Sequence, residues 1–406
     1  MGWRTVRSVQ NAPWGRCPYT TAATSASEAA PRPFHEMPGP RSFPLLGTLW
    51  RYLPLIARKF EKYGPAVREE IVSGVTLVWL FSPADIEVMY RSGEGKYPRR
   101  RSHLAMQHFR QGRPHIYSSG GLLPTNGTEW WRLRTVLQRA ISRPRNVKSY
   151  IPGTDVTLKQ FLQLVRSRVN KEPEDFMPEL SRLFTEVTGL VAFDARLGAL
   201  EGERLDPNSR AARLVEAAFT ANSCVLHTDN GPQLWRVAVE LIQSKVASLQ
   251  EKAERQQQEE EEESAEEPPS LLEQYLSSPD LDRKDVIGMV VDMLMAGVDT
   301  TVMVTQNQVS CRQSQWFREP LRFLPERWIK GHPQAENAHP FLSLPFGHGP
   351  RTCIARRLAE QSVQLLLLRI IRDFEVTWEG EGEMDCFTVL INKPDKPLKL
   401  RFRSVP

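Results

Sequence analysis

Along most of this chain apolar residues recur every three to four positions, the spacing of amphipathic helices, and only short stretches near the two ends alternate like strands. "LIARKFEKYGP" reads as a short helix stopped at Gly64-Pro65. "VREEIVSGVTLVWLFS" then holds two β-like runs about Ser73-Gly74, which predicts a hairpin. "SPADIEVMYRSG" predicts a helix with Ser82 as N-cap, Pro83 at its first position and a glycine end. From Trp130 to about Phe219 the pattern is mostly helical, broken at Pro144, Pro152 and Pro173 and by the polar loop "GALEGERLDPNSR". A second helical stretch, "PQLWRVAVELIQSKVASLQEKAERQQQ", runs into the glutamates 259 to 263, a solvated helix end or loop.

The long apolar stretch Val286 to Val304 carries Asp292 and Asp299, so it fits a buried core helix better than a membrane span. Prolines at 320, 325, 333, 340 and 345 punctuate an irregular segment, after which "ARRLAEQSVQLLLLRIIRDFEV" is a clear helix. The chain closes on "CFTVLINKPDKPLKLRF", where Leu398, Leu400 and Phe402 alternate with Lys399, Arg401 and Arg403, which predicts a small terminal hairpin. The fold class is mainly α with minor β.

Length and charge narrow this only a little. The 406 residues suit one large α-rich domain or two ordinary ones, and a formal charge of +5 calls for no nucleic-acid partner. The first 27 residues hold Arg4, Arg7 and Arg16 and no acid before Glu28, the composition of a mitochondrial transit peptide, with a disordered tail as the plainer alternative. Residues 1–30 are read as that leader, 31–45 as a proline-rich linker and 46–406 as the functional domain.

The candidate chemistry centres on one cysteine. Cys17, Cys224, Cys311, Cys353 and Cys386 form no C-x-x-C pair, so neither a zinc site nor a disulfide framework is written in their spacing. A metal on Cys353 would take its other ligands from non-protein atoms, as in a haem with one axial thiolate. In "LPFGHGPRTCIARR" the cysteine precedes a helix start, where the dipole and free N–H groups stabilise a thiolate. Gly347 and Gly349 let the backbone approach a flat cofactor, Phe346 can pack on it and Arg351 can pair with an acidic substituent. A lone cysteine is otherwise most often a buried structural residue.

This segment resembles the cytochrome P450 haem-binding pattern F-x-x-G-x-R-x-C-x-G through Phe346, Gly349, Arg351 and Cys353, with Ala355 in place of the last glycine. The resemblance covers the chain from about Pro31 onward and implies the P450 fold, a haem b cofactor and Cys353 as the axial ligand of its iron. It also draws in "AGVDTT", where Asp299 and Thr300 match the acid–alcohol pair that passes protons to dioxygen, a glycine making room beside the helix. Without Cys353, the same residues read as the polar end of a core helix. In "EWWRLR", Trp130 and Arg134 share one helical face and match the pair that holds haem carboxylates together with Arg351.

The leader, "EGKYPRR", "ELSRLFTEVTGLVAFDARLG" and "CIARRLAE" resemble the mitochondrial branch, and within it the ecdysteroid-pathway hydroxylases, the steroid 22-hydroxylase especially. That implies a haem-thiolate monooxygenase on the matrix side of the inner membrane, peripherally associated with it. It would hydroxylate a sterol or ecdysteroid precursor with O2 and with electrons passed from NADPH through a ferredoxin reductase and a mitochondrial ferredoxin. Arg356 and Arg357 are candidates for the ferredoxin contact.

One part of the family pattern is missing. The family places a much longer stretch, including an E-x-x-R helix, between the "AGVDTT" and "PERW" segments, whereas Thr301 and Arg327 are only 26 positions apart (327 less 301). "VTQNQVSCR" resembles the strand that normally follows that helix, so the sequence implies an internal deletion near 301–305. Arg327 is then expected to lose its carboxylate partner, at a cost on the order of several kcal/mol for a buried guanidinium. The alternative function is an inactive truncated product that at most binds haem or a ferredoxin.

Overall fold

The computed structural model describes residues 33–41, 56–218, 269–304, 316–388 and 392–405, less the single positions 73, 94, 102, 210, 321, 323, 383 and 385. The helix expected at 232–258, the strand expected at 304–312 beyond Val304, which is helical, and the leader lie outside the described residues. Contacts divide the chain into two compact units.

The first unit contains residues 57–83 and 316–343. Helix α1 (Ile56–Tyr63) stops where Gly64 turns to φ +90, a conformation open to glycine. Strands β1 (Ala66–Val72) and β2 (Val75–Leu80) form the expected antiparallel hairpin, with Val72 opposite Val75 and Gly74 at φ +79. Part of the expected linker lies along this hairpin: the Arg68 N–H donates to the Pro38 carbonyl at 2.9 Å.

The second unit contains residues 84–304 and 344–405. It holds α2 (Pro83–Val88, all but its first residue), α3 (Leu104–Gln111), α4 (Gly127–Ile141), α5 (Pro144–Ser149), α6 (Ile151–Arg166) and α7 (Met177–Phe193). It continues with α8 (Leu271–Leu276), α9 (Arg283–Val304) and α10 (Arg356–Asp373). Pro144 and Pro152 sit in the first turns of α5 and α6, where a missing N–H costs nothing. α8 starts with a full capping box between Ser270 and Glu273.

Two apolar clusters hold this unit. One gathers Leu133 and Leu137 of α4, Val191 and Phe193 of α7, Leu271 of α8, Val290 and Leu294 of α9, and Leu358 of α10. The other gathers Phe161 of α6, Leu183 of α7 and Leu366 of α10 with Phe374 and Phe402 of the small sheet below. α9 is the buried core helix the sequence predicts, and among the described residues no helix is long and apolar enough to cross a membrane. Its Asp292 is buried against Arg110 of α3 at 2.7 Å and also accepts the Leu122 N–H, which explains a carboxylate inside an apolar run.

The chain's end departs from expectation. β4 (Cys386–Thr388) and β5 (Asn392–Pro394) form a short hairpin, but the alternating strand β6 (Leu400–Ser404) pairs instead with β3 (Phe374–Trp378), the strand that leaves α10. The apolar face of β6 selects this partner: Phe402 contacts Phe374 and Phe176 inside the second cluster.

Candidate functional site

The cysteine loop closes on itself before α10 begins. Gly347 and Gly349 take φ +70 and +72, which β-carbon-bearing residues rarely adopt, and the chain curls so that the Cys353 N–H donates to the Phe346 carbonyl at 2.8 Å. The Thr352 hydroxyl donates to the same carbonyl at 3.1 Å. Ile354 and Ala355 then anchor the loop against the first apolar cluster.

Around the sulfur, two effects oppose three others. Cys353 is exposed to solvent, yet protein crowds it enough that desolvation, with a smaller push from the Glu360 carboxylate, raises its pKa above the ordinary thiol value. The Ala355 N–H and the charges of Arg134 and Arg356 pull the other way and favour a thiolate. Ala355 lies at φ −93, ordinary backbone for any L-residue, so nothing in the local conformation requires a glycine there.

Helix α4 brings the predicted pair to this loop. Trp130 and Arg134, one turn apart, are both buried. The Arg351 guanidinium lies 4.1 Å from the Trp130 ring centroid, a cation–π stack. Arg134 donates to the Thr352 carbonyl at 2.7 Å and to Gln138 at 2.8 Å, and burial lowers its pKa. Trp130, Arg134, Phe346, Arg351 and Cys353 therefore belong to one assembly drawn from segments more than two hundred positions apart.

Asn126 and Arg100 join it without having been predicted. Arg351 donates to the Pro98 and Thr125 carbonyls at 3.0 and 2.9 Å and to Asn126 Oδ1 at 2.8 Å. Asn126 exchanges hydrogen bonds with the Arg100 backbone on its other side. Asn126 stands at the N-cap of α4 but makes no cap hydrogen bond, because its side chain is spent on Arg351 and Arg100. Its place before a helix is readable in sequence; its partner is not.

The acid–alcohol pair is only partly described. Thr300 donates its hydroxyl back to the Ala296 carbonyl within α9, and among the described residues no hydrogen bond links it to the cysteine loop. The Asp299 side chain lies outside the described residues. Gly297 does not open free space beside the helix as expected: a β-carbon there would stand 2.8 Å from Thr188 Oγ1, so the glycine lets α9 and α7 approach closely.

The expectation for Arg327 is overturned. Within the first unit it is buried, but Glu336 pairs with it at 3.4 Å, and the carbonyls of Glu319, Arg322 and Leu324 accept its remaining N–H groups at 3.1 to 3.3 Å. Glu336 is held in turn by its own N–H on the Arg327 carbonyl at 2.9 Å and by the Arg318 N–H at 3.2 Å. A carboxylate nine positions later thus takes the place of the missing one, and no uncompensated charge is left.

Comparison with known proteins gives this assembly its setting. The cytochrome P450 family model matches residues 37–311 and 306–402, nearly the whole chain in two pieces. The chain belongs to the cytochrome P450 family. Among its relatives in Drosophila melanogaster, cytochrome P450 302a1, mitochondrial, is 36% identical over 482 aligned positions that cover 94% of this chain and 98% of the relative. Probable cytochrome P450 49a1 is 24% identical, covering 93% of this chain and 84% of its own length. Probable cytochrome P450 12e1, mitochondrial, is 23% identical and covers 94% of each. The first alignment is longer than this P450 itself: at least 76 of its positions (482 less 406) are residues of the relative with no counterpart here.

The cofactor of a P450 is a haem whose iron takes a cysteine thiolate, and the residues present fit it. The sulfur is a soft donor with an accessible side, an N–H and two cations supporting its negative charge. Beside the loop, a β-carbon on Gly347 would meet no atom within 4 Å, so a flat group has room to approach.

Proposed function

We propose that this P450 is a mitochondrial steroid hydroxylase of the ecdysteroid pathway, a 22-hydroxylase acting on a sterol or ecdysteroid precursor. The assembly of Trp130, Arg134, Arg351 and Cys353 about one loop carries the reading of the site. When bound, the haem supplies the activation of O2 and the insertion of one oxygen atom into a C–H bond.

In this reading Cys353 holds the iron. Trp130, Arg134 and Arg351 bind the haem carboxylates, Phe346 packs on the macrocycle, and Asp299 with Thr300 delivers protons. An acidic ferredoxin, reduced from NADPH through its reductase, docks where the basic residues cluster. Arg356 and Arg357 are exposed at the start of α10, and Arg357 donates to the Ser142 carbonyl at the end of α4. Beside that contact runs a groove of about 580 Å³ lined by Trp131, Thr135, Gln138, Arg139, Ser142, Arg143 and Pro144, which adds two more arginines to the same edge. The mitochondrial names of relatives support the mitochondrion as the compartment, and in this reading the protein works on the matrix side of the inner membrane.

A second reading concerns the chain as it stands. The family match comes in two pieces that overlap at 306–311, just past the stretch 301–305 where the sequence places an internal deletion. In this reading the 406-residue product binds haem but does not turn over. Reconstitution with mitochondrial ferredoxin, its reductase, NADPH and a panel of ecdysteroid precursors separates the two. A precursor gaining one oxygen at C22 supports the hydroxylase; haem loading with no oxygenated product supports the inactive form.

A further inference from the structure

Asn126, half-buried at the start of α4, pairs reciprocally with a single residue. Its Oδ1 accepts the Arg100 N–H at 2.7 Å while its Nδ2 donates to the Arg100 carbonyl at 3.0 Å. Two backbone amides make the same exchange across a strand ladder, and here it fixes where the chain at Arg100 lies. Nδ2 also donates to the Pro124 carbonyl at 3.0 Å, and Oδ1 accepts Arg351 at 2.8 Å. One side chain therefore ties together three segments, around positions 100, 124 and 351.

Two features set this apart from ordinary loop packing. The amide gives up the cap hydrogen bond that an asparagine before a helix commonly makes, so α4 loses local support in favour of the arginines. The tie also gathers like charges. Arg100 reaches the Arg351 carbonyl at 3.5 Å, and Arg351 stacks on Trp130. Burial lowers the pKa of Arg134, and the nearby charge of Arg100 lowers it further. These guanidiniums donate to the carbonyls of Pro98, Thr125, Arg351 and Thr352 and to the amide oxygens of Asn126 and Gln138, all of them neutral acceptors. An aspartate at 126 could cap α4 and bind Arg351 more strongly, but it would cancel positive charge and could not donate to the Arg100 and Pro124 carbonyls.

We propose that Asn126 is a positioning residue for the haem: it holds Arg100 beside Arg351 with both charges kept, and Arg100 thereby serves as a further cation for the haem carboxylates. The proposal rests on the reading of Trp130, Arg134 and Arg351 as the residues that bind those carboxylates.

The test loads the full chain with haem or with haem dimethyl ester, which lacks free carboxylates, and follows transfer of the ring to excess apomyoglobin. Iron-free protoporphyrin IX and its dimethyl ester, titrated into the chain by tryptophan fluorescence, make the same comparison without the thiolate. In the parent the acid should be held roughly tenfold or more tightly than the ester. Asn126→Ala and Arg100→Gln should each weaken the acid about fivefold and the ester less than about twofold, and Arg100→Lys should restore most of the loss. The double variant should fall little beyond Asn126→Ala alone, because the amide acts through Arg100 and Arg351.

Equal losses for acid and ester in Asn126→Ala would make the residue merely structural and overturn the proposal. If that variant does not fold, Arg100→Gln decides alone, since it leaves the backbone contacts of Arg100 in place; an acid affinity within about twofold of the parent's then overturns it. A parent that prefers the acid, with variants that keep the same preference, overturns this proposal only. A folded parent that holds acid and ester alike, or takes up no porphyrin, overturns the carboxylate reading of Trp130, Arg134 and Arg351 as well.

Discussion

The cysteine loop and the outer face of α10 are near neighbours in sequence and opposites in completeness. The loop is closed by its own hydrogen bonds and clasped from α4 and from Pro98 to Asn126, so that Arg351 alone meets three acceptors. The helix that follows buries one side and leaves Leu367, Leu368 and Ile371 bare. The difference lies in how each is held: the loop's geometry is set by backbone and arginine contacts, whereas the helix behind it is packed on one side only.

Four substitutions probe that division, in descending order of effect. Cys353→Ser removes the thiolate and should abolish the red-shifted Soret band of the reduced carbon monoxide complex completely, without loss of folded protein by circular dichroism. Trp130→Ala empties a fully buried ring site beneath Arg351 and should cost about 3–5 kcal/mol in denaturant unfolding. Glu336→Ala strips Arg327 of its carboxylate but leaves three carbonyl acceptors, so a loss of about 1–3 kcal/mol is expected, below that of a bare buried charge. Ala355→Gly restores the family pattern at the N-cap of α10, where glycine is favoured over alanine, and should stabilise by about 0.5 kcal/mol. A loss in stability there would mean that the methyl group's packing against the first apolar cluster outweighs the cap.

Much of this was legible in the chain. Helix positions followed from apolar spacing, and the prolines at 144 and 152 marked helix starts. The hairpin was written in Ser73-Gly74. Trp130, Arg134, Phe346, Arg351 and Cys353, singled out because each belongs to a short motif with fixed spacing, lie together in the fold. What failed were pairings between distant segments. β6 chose β3 through Phe402 and Phe374, which no local alternation could reveal. Glu336 rescued Arg327 from an irregular loop that carries no periodic signal. Asn126, which no motif singled out, holds an arginine 225 positions away.

The central claim is that the ligand loop is complete in this chain despite its missing segment. The most direct measurement is the spectrum of the purified, folded chain supplied with haem, reduced and exposed to carbon monoxide, beside its Cys353→Ser variant. The account predicts the red-shifted Soret band of a thiolate-ligated ferrous haem in the parent and its disappearance in the variant. A folded parent without that band, or a band that persists in the variant, would contradict it.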